Sequence, residues 1–267
     1  MARDFTKNTA NYMNIGTEVA VALVSGASAV SIAAWVYYDT ISNADNNNRI
    51  FTAIIDGVNG GIMLATGASG ANNLVRVGGR SQSADGFQAV NGTTNIPTGQ
   101  WIHMGGVLNI GGDVIRVYYN GTQEASTAVT FGAATYTDNG APTKQDAIGG
   151  YQDPPTVTAV QIDGRIAELG LWAGDIGTAG FEQLNDGFSP LMVRPDLLVA
   201  YWPLIGNNSP ETDIVSAKNG TITGTIATDA HPGIIYPSPA QMRRFTTAAV
   251  QAAAAQGAWK SLLGVGL

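Results

Sequence analysis

Carboxylates and histidines are the side chains through which this chain could do chemistry, and their spacing argues against catalysis. Hydrolysis of a glycosidic bond needs two positioned carboxyl groups, roughly 5 to 10 Å apart. On one face of a strand such a set would read Glu-x-Asp-x-Glu. No run of this kind occurs around the five glutamates, which are Glu18, Glu124, Glu168, Glu182 and Glu211. We therefore predict no catalytic residues and no enzyme activity.

The histidines give no basis for a zinc site, because the chain has only two of them and no cysteine. His103 lies in an alternating apolar segment, which favours a structural role, and His231 precedes a proline in a turn. Asp39, Asp56 and Asp163 could offer oxygen ligands to calcium, but calcium needs six or more of them. We predict no cofactor, and calcium is the one ion left open.

Tyrosines are the residues best suited to bind a sugar by stacking, and the candidates are Tyr37, Tyr119 and Tyr151. Two of them belong to adjacent pairs, with Tyr38 and Tyr118 as their neighbours. Successive side chains of a strand point to opposite faces, so one member of each pair should face the core. The pattern leaves open which member does so.

The composition narrows the classes of partner. Charged residues make up only 12% of the chain, about half of the usual share. The net charge is −7 and the sequence pI is about 4.6, which excludes nucleic acid as a ligand, since phosphate binding needs clustered Lys and Arg. No apolar run is long enough to cross a membrane. The first seven residues lack the apolar core of a signal peptide.

The segments that must position these residues have the alternating pattern of half-buried strands. It is clearest in residues 30–38, 101–107, 161–172 and 197–204. We therefore predict an all-β chain with one short helix near residues 178–186. The tryptophans of these strands are predicted to be predominantly buried, and they are Trp35, Trp101, Trp172 and Trp202.

Three regions follow from this pattern. Residues 1–10 are expected to form a polar N-terminal arm, and residues 11–236 one β domain. Residues 237–267 carry a heptad-like apolar stripe on an alanine-rich segment, which predicts a helical tail. The tail either packs on its own domain or serves as an anchor or self-association segment. Its predicted assembly contacts are Phe245, Trp259, Leu262 and Leu263.

Several blocks, taken in order, resemble the laminin-G-like, concanavalin A-like lectin/glucanase superfamily. They are Ser31-Ile32-Ala33-Ala34-Trp35-Val36, Trp101-x-His103, Tyr119-Asn120-Gly121, Ile148-Gly149-Gly150 and Gly164-Arg165-Ile166-Ala167-Glu168-Leu169-x-Leu171-Trp172. The resemblance implies an antiparallel β-sandwich, or jelly roll. This fold serves lectins, glycosidases and structural modules alike.

The chain departs from the family pattern at two places. Residues 198–204 resemble a segment that usually opens the domain, so residues 190–236 are expected to close the same sandwich in permuted order; a truncated second copy is the alternative. The resemblance also implies a calcium-binding Asp on the late strand. That position is Ala167 here, with Glu168 retained, which makes calcium doubtful.

These observations predict a non-enzymatic structural or adhesive module. The overall pattern resembles domains of tailed-phage virions, such as capsid decoration or head-fibre proteins. This implies other virion or shell subunits as partners, a homo-oligomer, and location in the virion. The alternative is a carbohydrate-binding lectin module that recognises a host or environmental glycan, located outside the cell or at its surface.

Overall fold

The computed structural model describes residues 1–6, 11–17, 19–41, 48–54, 60–69, 72–137, 145–150, 161–206 and 209–238. These residues form two antiparallel β-sheets packed face to face. The chain is therefore all-β in class, as the alternating pattern predicts. None of the described helices is long and apolar enough to cross a membrane.

Sheet A has eight strands. Seven follow the order β10-β9-β8-β3-β12-β1-β15, and β13 pairs with the C-terminal half of β12. The strands are β1 (Ala2–Phe5), β3 (Ala29–Thr40), β8 (Trp101–Asn109), β9 (Val114–Tyr119), β10 (Thr122–Ala128), β12 (Asp163–Trp172), β13 (Leu198–Trp202) and β15 (Ala227–Asp229).

Sheet B has seven strands in the order β14-β2-β11-β4-β5-β6-β7. They are β2 (Tyr12–Gly16), β4 (Asn48–Ile54), β5 (Gly60–Ser69), β6 (Asn72–Gly79), β7 (Gln88–Asn91), β11 (Asp146–Ile148) and β14 (Thr221–Thr223). Short helices complete the fold: α1 (Val19–Val24), α2 (Gly177–Asn185) and a 3-10 turn (Pro190–Met192). The helix expected near residues 178–186 is α2.

The core lies between the sheets and follows the alternation of the strands. On β3 the inward side chains include Ile32, Val36 and Tyr38, which pack with Leu64 and Val77 of sheet B. The intervening residues of β3 point to the opposite face of sheet A, called here the outer face. A sandwich of this kind leaves each outer face to be covered by other elements or by solvent.

Part of the outer face is covered by α2 and the 3-10 turn. Phe181 of α2 stacks on Tyr118 with ring centroids 3.9 Å apart, and the same apolar cluster contains Trp172 and Tyr201. The Trp172 indole Nε1 donates a hydrogen bond of 2.8 Å to the Val193 carbonyl. This cover does not reach the C-terminal end of β3, where the outer face carries larger and more polar side chains.

The N-terminal residues differ from the expected polar arm. Residues 2–5 form β1, which pairs with β12 on one side and β15 on the other. The prediction of a polar arm took Arg3 to be exposed, but its side chain is buried. Glu211 Oε2 accepts hydrogen bonds from Arg3 Nε at 2.8 Å and contacts Arg3 Nη2 at 2.7 Å. A charge-assisted pair of this kind allows a guanidinium to enter a core.

Residues 190–236 contribute to both sheets. β13 and β15 join sheet A through β12 and β1, and β14 pairs with β2 at the edge of sheet B. The expected helical tail, residues 237–267, lies outside the described residues from residue 239 onward. Its predicted contacts Phe245, Trp259, Leu262 and Leu263 lie there too, and they stay predictions.

Candidate functional site

The outer face of sheet A carries a row of four side chains where α2 no longer covers it. Trp101 of β8 is opposite Tyr37 of β3, Tyr37 is opposite Arg165 of β12, and Arg165 is opposite Asp4 of β1. Neighbouring strands lie about 4.8 Å apart, so the row extends over about 14 Å.

Three aromatic rings and an imidazole form the centre of this surface. Trp35, Tyr37, Trp101 and His103 are called here the aromatic patch. The Tyr37 and Trp101 rings meet edge to face, with centroids 5.8 Å apart, and Trp35 meets His103 in the same manner at 5.4 Å. Trp35, Tyr37 and Trp101 are each half-buried, so none of the three residues is fully enclosed.

Arg165 is fixed beside the patch by three neighbours. Its guanidinium lies over the Tyr37 ring, with Cζ 4.3 Å from the centroid. Its two terminal nitrogens contact Asp229 at 2.6 Å and Asp39 at 3.4 Å. Partial burial lowers the pKa of Arg165, but the carboxylates of Asp39 and Asp229 raise it by more. Arg165 is therefore a permanent cation whose charge is already paired.

His103 forms the floor of the patch. It is 1% exposed, its backbone N–H donates to the Asn120 side chain, and its Nδ1 has no hydrogen-bond partner among the described residues. Burial lowers the pKa of His103 to about 3, so the ring is neutral near pH 7. A buried polar atom of this kind normally binds water or another polar group.

The predicted stacking tyrosines do not come together. Tyr37 lies in the aromatic patch, although Arg165 covers one face of its ring. Tyr119 is opposite Met104, on the inward side of sheet A, and packs against the core. Tyr119 therefore lies on the other face from Tyr37, and its role in stacking stays a prediction. Tyr151 lies outside the described residues.

The four tryptophans that were predicted to be predominantly buried differ in the degree of their burial. Trp172 and Trp202 are both 0% exposed, whereas Trp35 and Trp101 are half-buried. The latter two lie on the outer face beyond the reach of α2. Sequence reasoning therefore missed Trp35 and Trp101 as binding candidates. The sequence did contain a signal for Trp35, because Trp35 and Tyr37 are two residues apart on β3 and therefore lie on the same face of the strand.

A second polar cluster surrounds Glu168, beside the patch. Glu168 lies at a β-bulge in β12 with a φ of 56°, which is a strained conformation for a residue with a side chain. The Tyr201 and Tyr236 hydroxyls donate to its two carboxylate oxygens, the latter at 2.7 Å. His231 Nε2 lies 3.2 Å from Glu168 Oε1. The Glu168 side chain is only 1% exposed, so these partners enclose it.

Two further acidic side chains, Glu211 and Asp213, are occupied by structural contacts. Asp56 and Glu18 lie outside the described residues. Glu211, two residues from Asp213, holds Arg3. Asp213 accepts hydrogen bonds from the backbone N–H groups of Tyr201, Val215 and Lys218, so it organises a loop. Within the described ranges, no group of three or more acidic, histidine or cysteine side chains is arranged to hold a metal ion.

Comparisons with known proteins point to one superfamily. A family model described as Concanavalin A-like lectin/glucanases superfamily matches residues 7–176, more than half of the chain. No curated protein sequence matches the chain. The range matched by the family model includes all four residues of the aromatic patch.

Solved structures share the same architecture. A "putative carbohydrate binding protein" from Bacteroides ovatus ATCC 8483 superposes with a TM-score of 0.62 at 20% identity, covering 88% of this chain and 61% of that chain. This chain therefore spans about three fifths of that protein. A native heptameric SAP-like pentraxin from Limulus polyphemus has a TM-score of 0.53 at 14% identity, covering 69% of this chain and 81% of that one.

The CBM40 module of the Ruminococcus gnavus IT-sialidase, solved with α2,3 sialyllactose, is a further neighbour. Its TM-score is 0.51 at 10% identity, covering 69% of this chain and 96% of that one. Identities this low show a shared fold only.

Proposed function

This chain belongs to the Concanavalin A-like lectin/glucanases superfamily, and on that premise we propose that it is a non-enzymatic carbohydrate-binding module whose site is the aromatic patch. The observation that carries the proposal is the partial exposure of Trp35, Tyr37 and Trp101 on one uncovered part of sheet A. Aromatic faces flanked by a few oriented polar groups are typical of small-ligand sites.

The patch offers both kinds of contact that a sugar needs. The Trp101 ring, which belongs to a half-buried residue, can pack on the apolar C–H face of a pyranose. Arg165 and the 40%-exposed Asp39 can exchange hydrogen bonds with hydroxyl groups at the rim. The similarity to proteins named as carbohydrate-binding supports the same proposal.

Two of the described glutamates are already engaged in structural contacts. Catalysis on a glycosidic bond needs an acid that reaches the leaving oxygen and a second carboxylate on the other side. Glu168 is enclosed by Tyr201, Tyr236 and His231, and Glu211 is engaged with Arg3. Neither is presented to a ligand on the aromatic patch.

A glycan array followed by calorimetry tests the proposal. The wild-type chain should bind at least one oligosaccharide, and Trp101→Ala should weaken that binding at least tenfold, or about 1.4 kcal/mol. Tyr119→Ala is the matched control, because Tyr119 is a half-buried aromatic on the next strand that faces the core. Equal loss in both variants, or no loss in Trp101→Ala, would refute the site.

A structural or adhesive role in an assembly, including a phage virion, is the second candidate. It is favoured by the low charged fraction of 12% and by large apolar side chains that are exposed. Among the described residues they are Met1, Ile205, Ile214, Val215, Ile235 and Tyr236. Mass spectrometry of purified particles tests it: a stoichiometric amount of the chain supports assembly, and its absence from every particle fraction counts against it.

A further inference from the structure

The charges around the aromatic patch determine which sugars it can accept. One guanidinium, Arg165, lies among four described carboxylates, so the group carries a net charge of up to −3. The carboxylates belong to Asp4, Asp39, Asp163 and Asp229. Burial, together with Asp39, Asp229 and Asp163, raises the pKa of Asp4 despite the opposing effect of Arg165. The local field is therefore negative where a ligand would meet the rim.

Arg165 cannot act as a free receptor for an acidic sugar. Its terminal nitrogens already contact Asp229 at 2.6 Å and Asp39 at 3.4 Å, and its π-face lies on Tyr37. A bidentate contact with a sugar carboxylate would have to displace one of these aspartates. The displaced aspartate and the sugar carboxylate would then repel each other across a partly buried surface.

Asp39 is the carboxylate best placed to meet a ligand. Its exposure of 40% is close to the 45% of Asp229, but its contact with Arg165 is the longer of the two, so it keeps more accepting capacity. An ammonium group on a sugar would find there an acceptor of opposite charge. A hydroxyl could use the same oxygen, with a weaker hydrogen bond.

We infer that the aromatic patch prefers sugars with a free amine, accepts neutral sugars less tightly, and rejects sugars that carry a carboxylate. This inference rests on the proposed glycan-binding function and specifies its ligand class. It also separates this chain from the sialidase module solved with sialyllactose, despite the shared fold.

Two matched pairs of sugars test the ranking on the full chain. The first is chitotriose and its fully de-acetylated form, which differ by three amines. The second is lactose and 3′-sialyllactose, which differ by one acidic residue. At low salt the de-acetylated trimer should bind at least about fivefold tighter than chitotriose, and 3′-sialyllactose at least about fivefold weaker than lactose. Both gaps should shrink at about 0.5 M salt because exposed charges are screened.

Substitutions assign the effect to the patch. Asp39→Asn keeps the shape and removes one negative charge, so it should reduce the preference for the amine. Asp196→Asn is the control, since Asp196 is also an exposed aspartate paired with an arginine, but it does not act on Arg165. Binding of 3′-sialyllactose as tight as that of lactose, or the same ratio of affinities for the two chitosan trimers in Asp39→Asn as in the wild type, would overturn this inference alone. A blank glycan array would overturn the proposed function and this inference with it.

Discussion

Glu211→Ala should destabilise the sandwich strongly, because it removes a carboxylate that contacts two nitrogens of the buried Arg3 guanidinium. The two side chains are only 2% and 5% exposed, and one carboxylate oxygen contacts both Arg3 Nε and Nη2. The other oxygen accepts the Gly206 N–H at 3.3 Å. Removing one partner of a buried ion pair costs about 3 to 5 kcal/mol.

Urea unfolding followed by tryptophan fluorescence measures this cost. The variant Arg3→Met/Glu211→Leu should recover most of the loss, because both charged partners are then replaced by apolar groups. Asp196→Ala should leave the unfolding free energy unchanged, since the Arg194–Asp196 pair is exposed. If Glu211→Ala unfolds at the wild-type urea concentration, β1 is not held by this pair and the account of the N-terminus is wrong.

Three further predictions concern the patch and its neighbours. Burial lowers the pKa of His103 from 6.5 to about 3, so between these pH values the unfolded chain binds a proton at His103 and the folded chain does not. The free energy of unfolding should therefore be independent of His103 above about pH 6.5 and should decrease as the pH falls toward 3. Unfolding of His103→Gln across this range should lack that component, and parallel curves for the two proteins would contradict it. Trp172→Ala should cost about 3 to 5 kcal/mol of stability and Trp101→Ala clearly less, because only Trp172 is fully buried; equal losses in thermal unfolding would show that the patch is not exposed. Tyr236→Phe should cost about 1 kcal/mol by removing a hydrogen bond to Glu168, and no change in the unfolding midpoint would show that this contact is absent in solution.

The alternating pattern was sufficient to predict the sheets and the two faces of β3. It could not predict how far α2 covers the outer face, because that depends on Phe181 packing over Tyr118 from a distant part of the chain. For the same reason it could not distinguish the buried Trp172 from the half-buried Trp101. Local patterns set the side of a strand, but tertiary packing decides exposure.

The structure of the N-terminus and the orientation of the tyrosine pair could not be predicted for related reasons, because both depend on contacts between distant parts of the chain. Arg3 and Asp4 make the first residues look polar, and the partner that buries Arg3 lies 208 residues away. For Tyr118 and Tyr119 the pattern requires one to face the core, but only the pairing of β9 with β8 decides which. Arg165 became part of the site through the pairing of β12 with β3, which sequence spacing does not reveal.

The central claim is that a sugar binds on the aromatic patch, and the indole N–H signals of the tryptophans test it most directly. The chain has five tryptophans, so a ¹H–¹⁵N spectrum should show five such signals, assigned by single Trp→Phe substitutions. Titration with the tightest glycan from the array should shift the signals of Trp35 and Trp101 and leave those of the buried Trp172 and Trp202 in place. Binding that moves neither Trp35 nor Trp101 would contradict the account.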